Sequence, residues 1–186
     1  MNSDWLESVV AVMQSQGIGF AAGLSDAEIS RAEAAHRFRF PADLRALLQH
    51  AQPMGDRFPD WREPESAFIL DRLSWPADSM CFDIEHDAFW MPEWGRRPED
   101  LGAANAVARA AVRKAPFLIP VFAHRYLPAM PLRPGNPIFS VWQTDIIYYG
   151  FDLASWLEKE FGVPNPLPAP SGPREIELWS ELERRN

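Results

Sequence analysis

The chain has few of the residues that mark a secreted or membrane protein. It has one cysteine in 186 residues, Cys81, which cannot form an internal disulfide, whereas small secreted domains commonly contain several cysteines. The segment from Met1 to Gln14 includes Asp4 and Glu7 and has no basic stretch, so it predicts a helix and not a secretion signal. No run of about 18 apolar residues is present, which excludes a membrane-spanning helix. The sequence therefore predicts a soluble, cytoplasmic protein.

Sequence motifs for catalysis and cofactor binding are also missing. There is no nucleophile elbow, no helical pair of histidines and no glycine-rich phosphate loop, since Gly17 and Gly19 follow a predicted helix instead of a strand. Cys81 lies between Met80 and Phe82, which indicates a small buried residue and not an activated thiolate. We therefore predict no enzymatic activity, no catalytic residue, no metal and no cofactor.

Two groups of ionisable side chains come nearest to a chemical site. The first group is Asp83, Glu85, His86 and Asp87. Successive residues of a strand point to opposite faces, and zinc ligands usually come from separate turns, so a solvated loop or strand edge is favoured over a metal site. The second group is His124, Arg125 and Tyr126, directly after a predicted buried strand, but no nucleophile motif accompanies His124. A histidine bonded to a backbone carbonyl is favoured over a general base.

Lysine is nearly absent, with two residues against sixteen arginines, and the net charge is −8. Between residues 56 and 100 twelve acidic residues stand against five arginines, which gives −7 and leaves the rest of the chain nearly neutral. Four of the eight tryptophans lie in the same segment, namely Trp61, Trp75, Trp90 and Trp94. Because an acidic face repels phosphate backbones, we do not expect this protein to bind nucleic acid.

This acidic, tryptophan-rich segment allows three interpretations. In the first, its rings anchor a protein partner and its carboxylates steer a basic surface towards it. The residues expected at this partner-binding surface are Trp61, Asp83, Glu85, Asp87, Phe89, Trp90 and Trp94. In the second, carboxylates drawn from Asp83, Glu85, Asp87 and Glu93 flank a sugar that is held on tryptophan faces, as in glycoside hydrolysis. In the third, most of the tryptophans are core residues, since eight such rings cannot all be displayed.

The spacing of apolar residues predicts a mixture of helices and strands. Ser25 and Glu28 form a capping box that starts one helix. Further helices are predicted from Ser3, Pro41, Pro98 and Asp152, and around Trp179. Strands are predicted at 67–70, 80–84, 117–123, 138–142 and 145–149, with a hairpin turn at Gln143 and Thr144. Residues 85–97 have no clean period and are predicted to be irregular.

The length fits one domain, which we place at residues 1–163, followed by a linker and a short helix at 164–186. The linker contains Pro164, Pro166, Pro168, Pro170 and Pro173, and this proline content predicts an extended chain. The last helix carries three large apolar residues on one stripe, so we expect it to pack back on the body of the protein. These residues are Ile176, Trp179 and Leu182.

Two stretches of the chain have a familiar pattern. The run from Gly23 to Leu48 contains Gly-Leu-Ser-Asp-Ala-Glu-Ile and then Phe-Arg-Phe-Pro-Ala-Asp-Leu-Arg-Ala-Leu-Leu. Leu118-Ile119-Pro120-Val121 is followed by the strand from Asp145 to Gly150 and the helix from Asp152 to Phe161. Together they resemble the two halves of the SUKH superfamily, which includes the fungal cell-wall-assembly regulator and many bacterial relatives. The resemblance extends over most of the chain between Gly23 and Phe161.

This resemblance implies an α+β fold with a mostly antiparallel sheet wrapped by helices, and no enzymatic activity. Bacterial members of the superfamily are widely taken to be immunity proteins that neutralise toxins, often nucleases, in polymorphic toxin systems. The implied partner is therefore a basic toxin domain, which an acidic surface would suit. The alternatives are a carbohydrate-binding or glycoside-processing protein that uses the same tryptophans, and a regulatory scaffold.

Overall fold

Two antiparallel sheets and seven α-helices make up the residues that the computed structural model describes, which are 2–165, 168 and 170–186. The helices are α1 (Ser3–Ser15), α2 (Asp26–His36), α3 (Ala42–His50), α4 (Ala67–His86), α5 (Leu101–Lys114), α6 (Leu153–Phe161) and α7 (Trp179–Glu183). The strands are β1 (Gly19–Ala22), β2 (Ala51–Met54), β3 (Leu118–Phe122), β4 (Arg125–Pro128), β5 (Ile138–Trp142) and β6 (Asp145–Gly150). The predicted α+β class with antiparallel sheets is confirmed.

The helix starts predicted at Ser25 and Asp152 are confirmed by their side-chain caps, whereas α5 begins at Leu101 with Asp100 as its cap, three residues after the predicted start at Pro98. The hydroxyl of Ser25 accepts from the backbone N–H of Glu28, and the Glu28 carboxylate accepts from the Ser25 N–H at 2.7 Å. Asp152 and Ser155 form a second such box at the start of α6. In both, side chains satisfy backbone N–H groups that the first helical turn leaves without partners.

The strands form one sheet of two, β1 with β2, and one sheet of four in the order β3-β4-β5-β6. Trp142 pairs with Asp145 at the end of the β5–β6 ladder, so Gln143 and Thr144 form the predicted hairpin turn. Gln143 has a φ of 56°, as tight hairpin turns require. All consecutive strands of the larger sheet are therefore joined as antiparallel neighbours.

The four-stranded sheet separates two hydrophobic cores. Leu127 and Ile138 belong to the first core, together with the buried faces of α1, α3 and α6. Tyr126, Phe139 and Val141 belong to the second core, with buried residues of α4, α5 and α7. Neighbouring residues of β4 and β5 enter different cores because successive strand side chains point to opposite faces.

The strands predicted at 67–70 and 80–84 are wrong, because both segments are parts of the 20-residue helix α4. Ser66 caps this helix by accepting from the N–H of Ile69. Short apolar runs do not distinguish a strand from a buried helical segment, and Pro76 in the middle of α4 breaks the helical signal. The buried side chains Ile69, Met80 and Ile84 lie on the face that packs inwards.

The C-terminal helix α7 packs against β6, as predicted. Ile176, Trp179 and Leu182 are all buried in the second core, and the Trp179 indole donates to the carbonyl of Pro116 at 2.7 Å. The predicted extended linker includes Pro166, which lies outside the described residues. The division of the chain at residue 163 stays a prediction. No helix among residues 2–165 and 170–186 is long and apolar enough to cross a bilayer.

Candidate functional site

Trp61, one of the residues predicted to contact a partner, lies in the first core and is 1% exposed. Its ring packs edge-on against Phe40, with 5.2 Å between the centroids, and at 5.6 Å from Phe38. The turn-rich segment before α4 folds back over α2, since His36 contacts the carbonyl of Pro64. The prediction that Trp61 is displayed to a partner is therefore wrong.

Asp83 is also an interior residue, with 4% of its surface exposed. One carboxylate oxygen accepts from the backbone N–H of Thr144 at 2.8 Å and from the Thr144 hydroxyl at 2.6 Å. This carboxylate therefore joins α4 to the β5–β6 hairpin and is not available to a partner. Because residues 80–84 form a helix and not a strand, Asp83 points inwards while Glu85 points outwards.

The remaining predicted residues stay at the surface, at the end of α4 and in the loop that leads to α5. Glu85 and Asp87 are exposed, and Phe89, Trp90 and Trp94 are half-buried. We refer to these five residues as the acidic–aromatic surface. Five of the seven side chains that were expected to meet a partner are therefore at the surface.

The three rings of the acidic–aromatic surface hold one another in place. Trp94 packs edge-on against Trp90 and Phe89, with centroid distances of 5.1 and 5.9 Å. All three pack partly on the second core, and the Trp90 indole donates to the carbonyl of Gly95 at 2.7 Å. A 3₁₀ turn at Pro92–Trp94 sets this arrangement, in a stretch for which the sequence indicates no regular structure.

The loop itself is tied to its surroundings at both ends. The Arg97 guanidinium donates to the carbonyl of Ile84 at 2.5 Å, which closes the loop onto α4. The Glu93 carboxylate accepts from Arg185 at 2.6 Å, which joins the loop to the C-terminus. A hydrogen bond from its own backbone N–H, together with the charge of Arg185, lowers the pKa of Glu93. The Glu93 carboxylate is therefore ionised and paired with Arg185.

The surroundings of the acidic–aromatic surface add a further ring that the sequence pattern does not reveal. Phe82 is 46% exposed and stacks on His86, with 4.1 Å between the ring centroids. Both lie on the outward face of α4 beside Glu85, because residues three and four apart share one helical face. The exposure of Phe82 follows from the helix, whereas the sequence suggests a strand at this position.

Three of the four ionisable side chains considered for metal binding contact different partners. Asp83 binds Thr144, Glu85 accepts from the amide of Asn105 at 2.6 Å, and the His86 ring bonds the carbonyl of Phe82. Within the described part of the chain, no group of three or more histidine, cysteine, aspartate or glutamate residues could hold a metal ion.

The different directions of these carboxylates also argue against the glycoside interpretation. Hydrolysis of a glycosidic bond needs two carboxyl groups that face each other across a sugar. Asp83 is directed to the hairpin, Glu85 to α5 and Glu93 to Arg185. These three carboxylates therefore do not form the facing pair that the sugar interpretation requires.

His124 and Cys81 differ in how well the sequence predicts their environment. Cys81 is buried, as expected, and burial raises the pKa of its thiol. His124 lies in the turn between β3 and β4, where its Nε2 contacts the Arg125 guanidinium instead of the expected backbone carbonyl. Burial and then the charge of Arg125 lower the pKa of His124. Its imidazole is therefore neutral at physiological pH, with Nε2 as the acceptor.

No protein-family model, curated protein or solved structure gives a significant match to this chain. The resemblance to the SUKH superfamily stays a prediction. What the acidic–aromatic surface offers chemically is a set of fixed, half-exposed rings beside two exposed carboxylates. Such an arrangement can bury apolar side chains of another molecule and attract positive charge.

Proposed function

We propose that the protein is a non-enzymatic, cytoplasmic binding module that holds a basic protein partner on its acidic–aromatic surface. The observation that carries this proposal is the packing of Phe89, Trp90 and Trp94 into one half-exposed cluster beside the carboxylates of Glu85 and Asp87. Tryptophan is among the residues that most often dominate binding energy at protein interfaces.

The fixed position of the rings supports a binding role. Ordering a mobile side chain at an interface costs roughly 0.5–1.5 kcal/mol, which weakens binding. The undersides of Trp90 and Trp94 already rest on the second core, and the Trp90 indole is bonded to Gly95. These rings therefore lose little conformational freedom when a partner covers them.

The charge around the rings supports a basic partner. Between residues 85 and 100 there are five carboxylates and two arginines. A negative patch accelerates the encounter with a positive partner and rejects negative ones. The resemblance of Gly23–Leu48 and of the segments between Leu118 and Phe161 to the SUKH superfamily supports a more specific form of this proposal. In that form the protein is an immunity protein and the partner is a basic toxin domain.

A matched pair of charge-reversal variants tests the proposal. The test variant is E85R/D87R, and the control is E63R/E65R, which changes the net charge equally at two exposed residues next to the C-terminal end of α2. Affinity capture from the native cell with the wild type and both variants identifies the partner. We expect a basic protein that co-purifies with the wild type and the control and is lost with the test variant.

Measuring association and dissociation rates with that protein then separates electrostatic steering from the contribution of direct contacts. Reversal at Glu85 and Asp87 should slow association by about tenfold or more at low salt and much less at high salt, because salt screens exposed charges. Trp90→Ala should mainly accelerate dissociation, since it removes a contact and not a charge. Equal rates for both charge-reversal variants, or an acidic partner, would contradict the proposal.

A further inference from the structure

Arg185, two residues beyond α7, reaches the loop that carries the acidic–aromatic surface. One nitrogen of its guanidinium donates to a carboxylate oxygen of Glu93 at 2.6 Å and to one of Glu181 at 3.0 Å. Glu93 belongs to the 3₁₀ turn at Pro92–Trp94, and the Trp94 ring packs edge-on against the two other rings of the surface. An arginine of the chain itself is therefore bound at a carboxylate next to the ring cluster.

The packing of α7 fixes where this guanidinium is delivered. Leu182 is buried in the second core, on which the rings of the acidic–aromatic surface also pack. The backbone N–H of Arg185 donates to the carbonyl of Leu182 at 3.1 Å, and the side-chain amide of Asn186 donates to the carbonyl of Ile146 at 2.8 Å. The backbone at Arg185 is therefore anchored, so its guanidinium can leave Glu93 by rotation of the side chain alone.

The ion pair between Arg185 and Glu93 is at the surface. The Arg185 side chain is 34% exposed and the Glu93 side chain is 51% exposed. Ion pairs at such positions contribute little free energy, because water solvates both charges when the pair opens. Glu181, one helical turn before Arg185, can keep the guanidinium paired after it leaves Glu93. Another cation can therefore replace Arg185 at Glu93 without a large loss.

The contacts around Glu93 leave negative charge uncompensated. Glu93 and Glu181 share the single guanidinium of Arg185, so two carboxylates face one positive charge. The exposed Glu85 accepts from a neutral side-chain amide at 2.6 Å, and this contact supplies no positive charge. Residues 85–100 as a whole contain five carboxylates and two arginines. A second cation is therefore attracted to this region, whereas an anion is repelled.

We propose that the acidic–aromatic surface recognises an arginine side chain of its partner, which takes the place of Arg185 at Glu93 with its guanidinium beside the Trp94 ring. Arg185 is then an internal competitor that the partner displaces. The planar guanidinium fork can bind a carboxylate through two donors and stack on an aromatic face, and a lysine ammonium lacks the fork. This inference rests on the proposed function, because it specifies the group that the same surface binds.

Arg185 would act in the opposite direction if its only role were to hold the loop in place. Removing its side chain would then loosen the 3₁₀ turn, and the surface would bind more weakly. An internal competitor has the reverse effect, because the apparent affinity rises with the fraction of molecules whose binding site is open. The direction of the change on removing the Arg185 side chain therefore distinguishes the two roles.

Fluorescence anisotropy with defined peptides tests the inference on the full chain. The probe is a fluorescein-labelled hexapeptide of alternating arginine and leucine. Comparison peptides carry lysine, or the uncharged arginine analogue citrulline, in place of each arginine. We expect the arginine peptide to bind the wild type with a dissociation constant below about 1 mM, the lysine peptide to bind more weakly and the citrulline peptide not to bind at that concentration.

A matched pair of variants separates the Arg185 contact from the charge of the region. Arg185→Gln opens the Glu93 carboxylate and should tighten binding of the arginine peptide by about threefold, as expected from removal of an exposed ion pair. The control Arg184→Gln removes the same charge from the neighbouring residue, whose guanidinium pairs instead with Glu175 at 2.9 Å. This control should change the affinity by less than about twofold.

Glu93→Gln provides the complementary variant. It removes the charge with which Arg185 pairs and with which a partner arginine would pair, so the arginine peptide should bind about threefold more weakly or worse. In the Glu93→Gln background, Arg185→Gln should bring no gain in affinity. Circular dichroism confirms that each variant is folded.

The inference is overturned if Arg185→Gln binds the arginine peptide no more tightly than Arg184→Gln, or if the citrulline peptide binds equally well. Absence of arginine-peptide binding at about 1 mM protein also overturns it. The proposed function fails by a different result, namely equal binding of this peptide to E85R/D87R and E63R/E65R. A loss with E85R/D87R and no gain with Arg185→Gln would remove the inference and leave the proposed function in place.

Discussion

The hydroxyl of Tyr126 donates a hydrogen bond to the backbone carbonyl of Arg72 at 2.8 Å. In a regular helix this carbonyl would accept from the N–H of the residue four positions later, and that residue is Pro76, which has no N–H. A side chain from β4 therefore supplies the hydrogen bond that the proline removes from α4. This contact explains how a 20-residue helix continues through an internal proline.

The Tyr126–Arg72 hydrogen bond should contribute measurably to the free energy of unfolding. Tyr126→Phe keeps the buried ring and leaves the Arg72 carbonyl without a donor, so we expect the free energy of unfolding to fall by about 1–2 kcal/mol. Urea unfolding measures this difference. In a Pro76→Ala background the new backbone N–H at position 76 can serve the carbonyl, and the loss should shrink. An equal loss in both backgrounds would refute the explanation.

The contact between Asp83 and Thr144 leads to a second prediction. Asp83→Ala removes an acceptor from both the N–H and the hydroxyl of Thr144, so the free energy of unfolding should fall by about 1–3 kcal/mol. Asp87→Ala, at an exposed carboxylate one helical turn later, should change it by about 0.5 kcal/mol or less. In a double-mutant cycle, Asp83→Ala and Thr144→Ala should not be additive. Additive effects would show that the two side chains are independent.

The environment of His124 predicts a dependence of stability on pH. Burial and the charge of Arg125 lower the pKa of the folded imidazole below the ordinary 6.5, so the unfolded chain takes up a proton at a higher pH than the folded one. Stability should be unaffected by this group above about pH 7 and should decrease as the pH falls from 6.5 towards the lower folded value. Below the folded value this group causes no further loss.

Substitution identifies the part of that pH dependence that belongs to His124. His124→Gln should flatten the decrease in unfolding free energy that begins as the pH falls below about 6.5. Chemical denaturation of the wild type and the variant at a series of pH values measures this difference. A titration of the His124 ring by NMR with a midpoint above 6.5 would contradict the prediction.

Which of the proposed partner-binding residues are exposed could be predicted from the sequence only in part. Clustering of acids and tryptophans between residues 56 and 100 correctly indicates that Glu85 and Asp87 are exposed. The same clustering does not show that Trp61 and Asp83 are buried. Burial of Asp83 depends on which face of α4 points inwards, and burial of Trp61 depends on where the loop before α4 packs. A strand at residues 80–84 would have placed Asp83 and Glu85 on one face, and the helix separates them.

The cluster formed by the rings of Trp75, His124 and Trp142 gives no signal in the sequence. These residues belong to three separate segments of the chain, namely α4, the β3–β4 turn and the end of β5. These side chains meet because the β3–β4 turn, the end of β5 and the middle of α4 come together at Val141.

The capping boxes at Ser25 and Asp152, the β5–β6 hairpin and the apolar stripe of the C-terminal segment are determined by the sequence itself. Each rests on interactions within a few residues, so a short window contains the whole cause. The continuation of α4 through Pro76 and the inward direction of Asp83 were decided only by the tertiary structure. They depend on Tyr126, 54 residues from Arg72, and on Thr144, 61 residues from Asp83, and only the packed sheet brings such distant partners into contact.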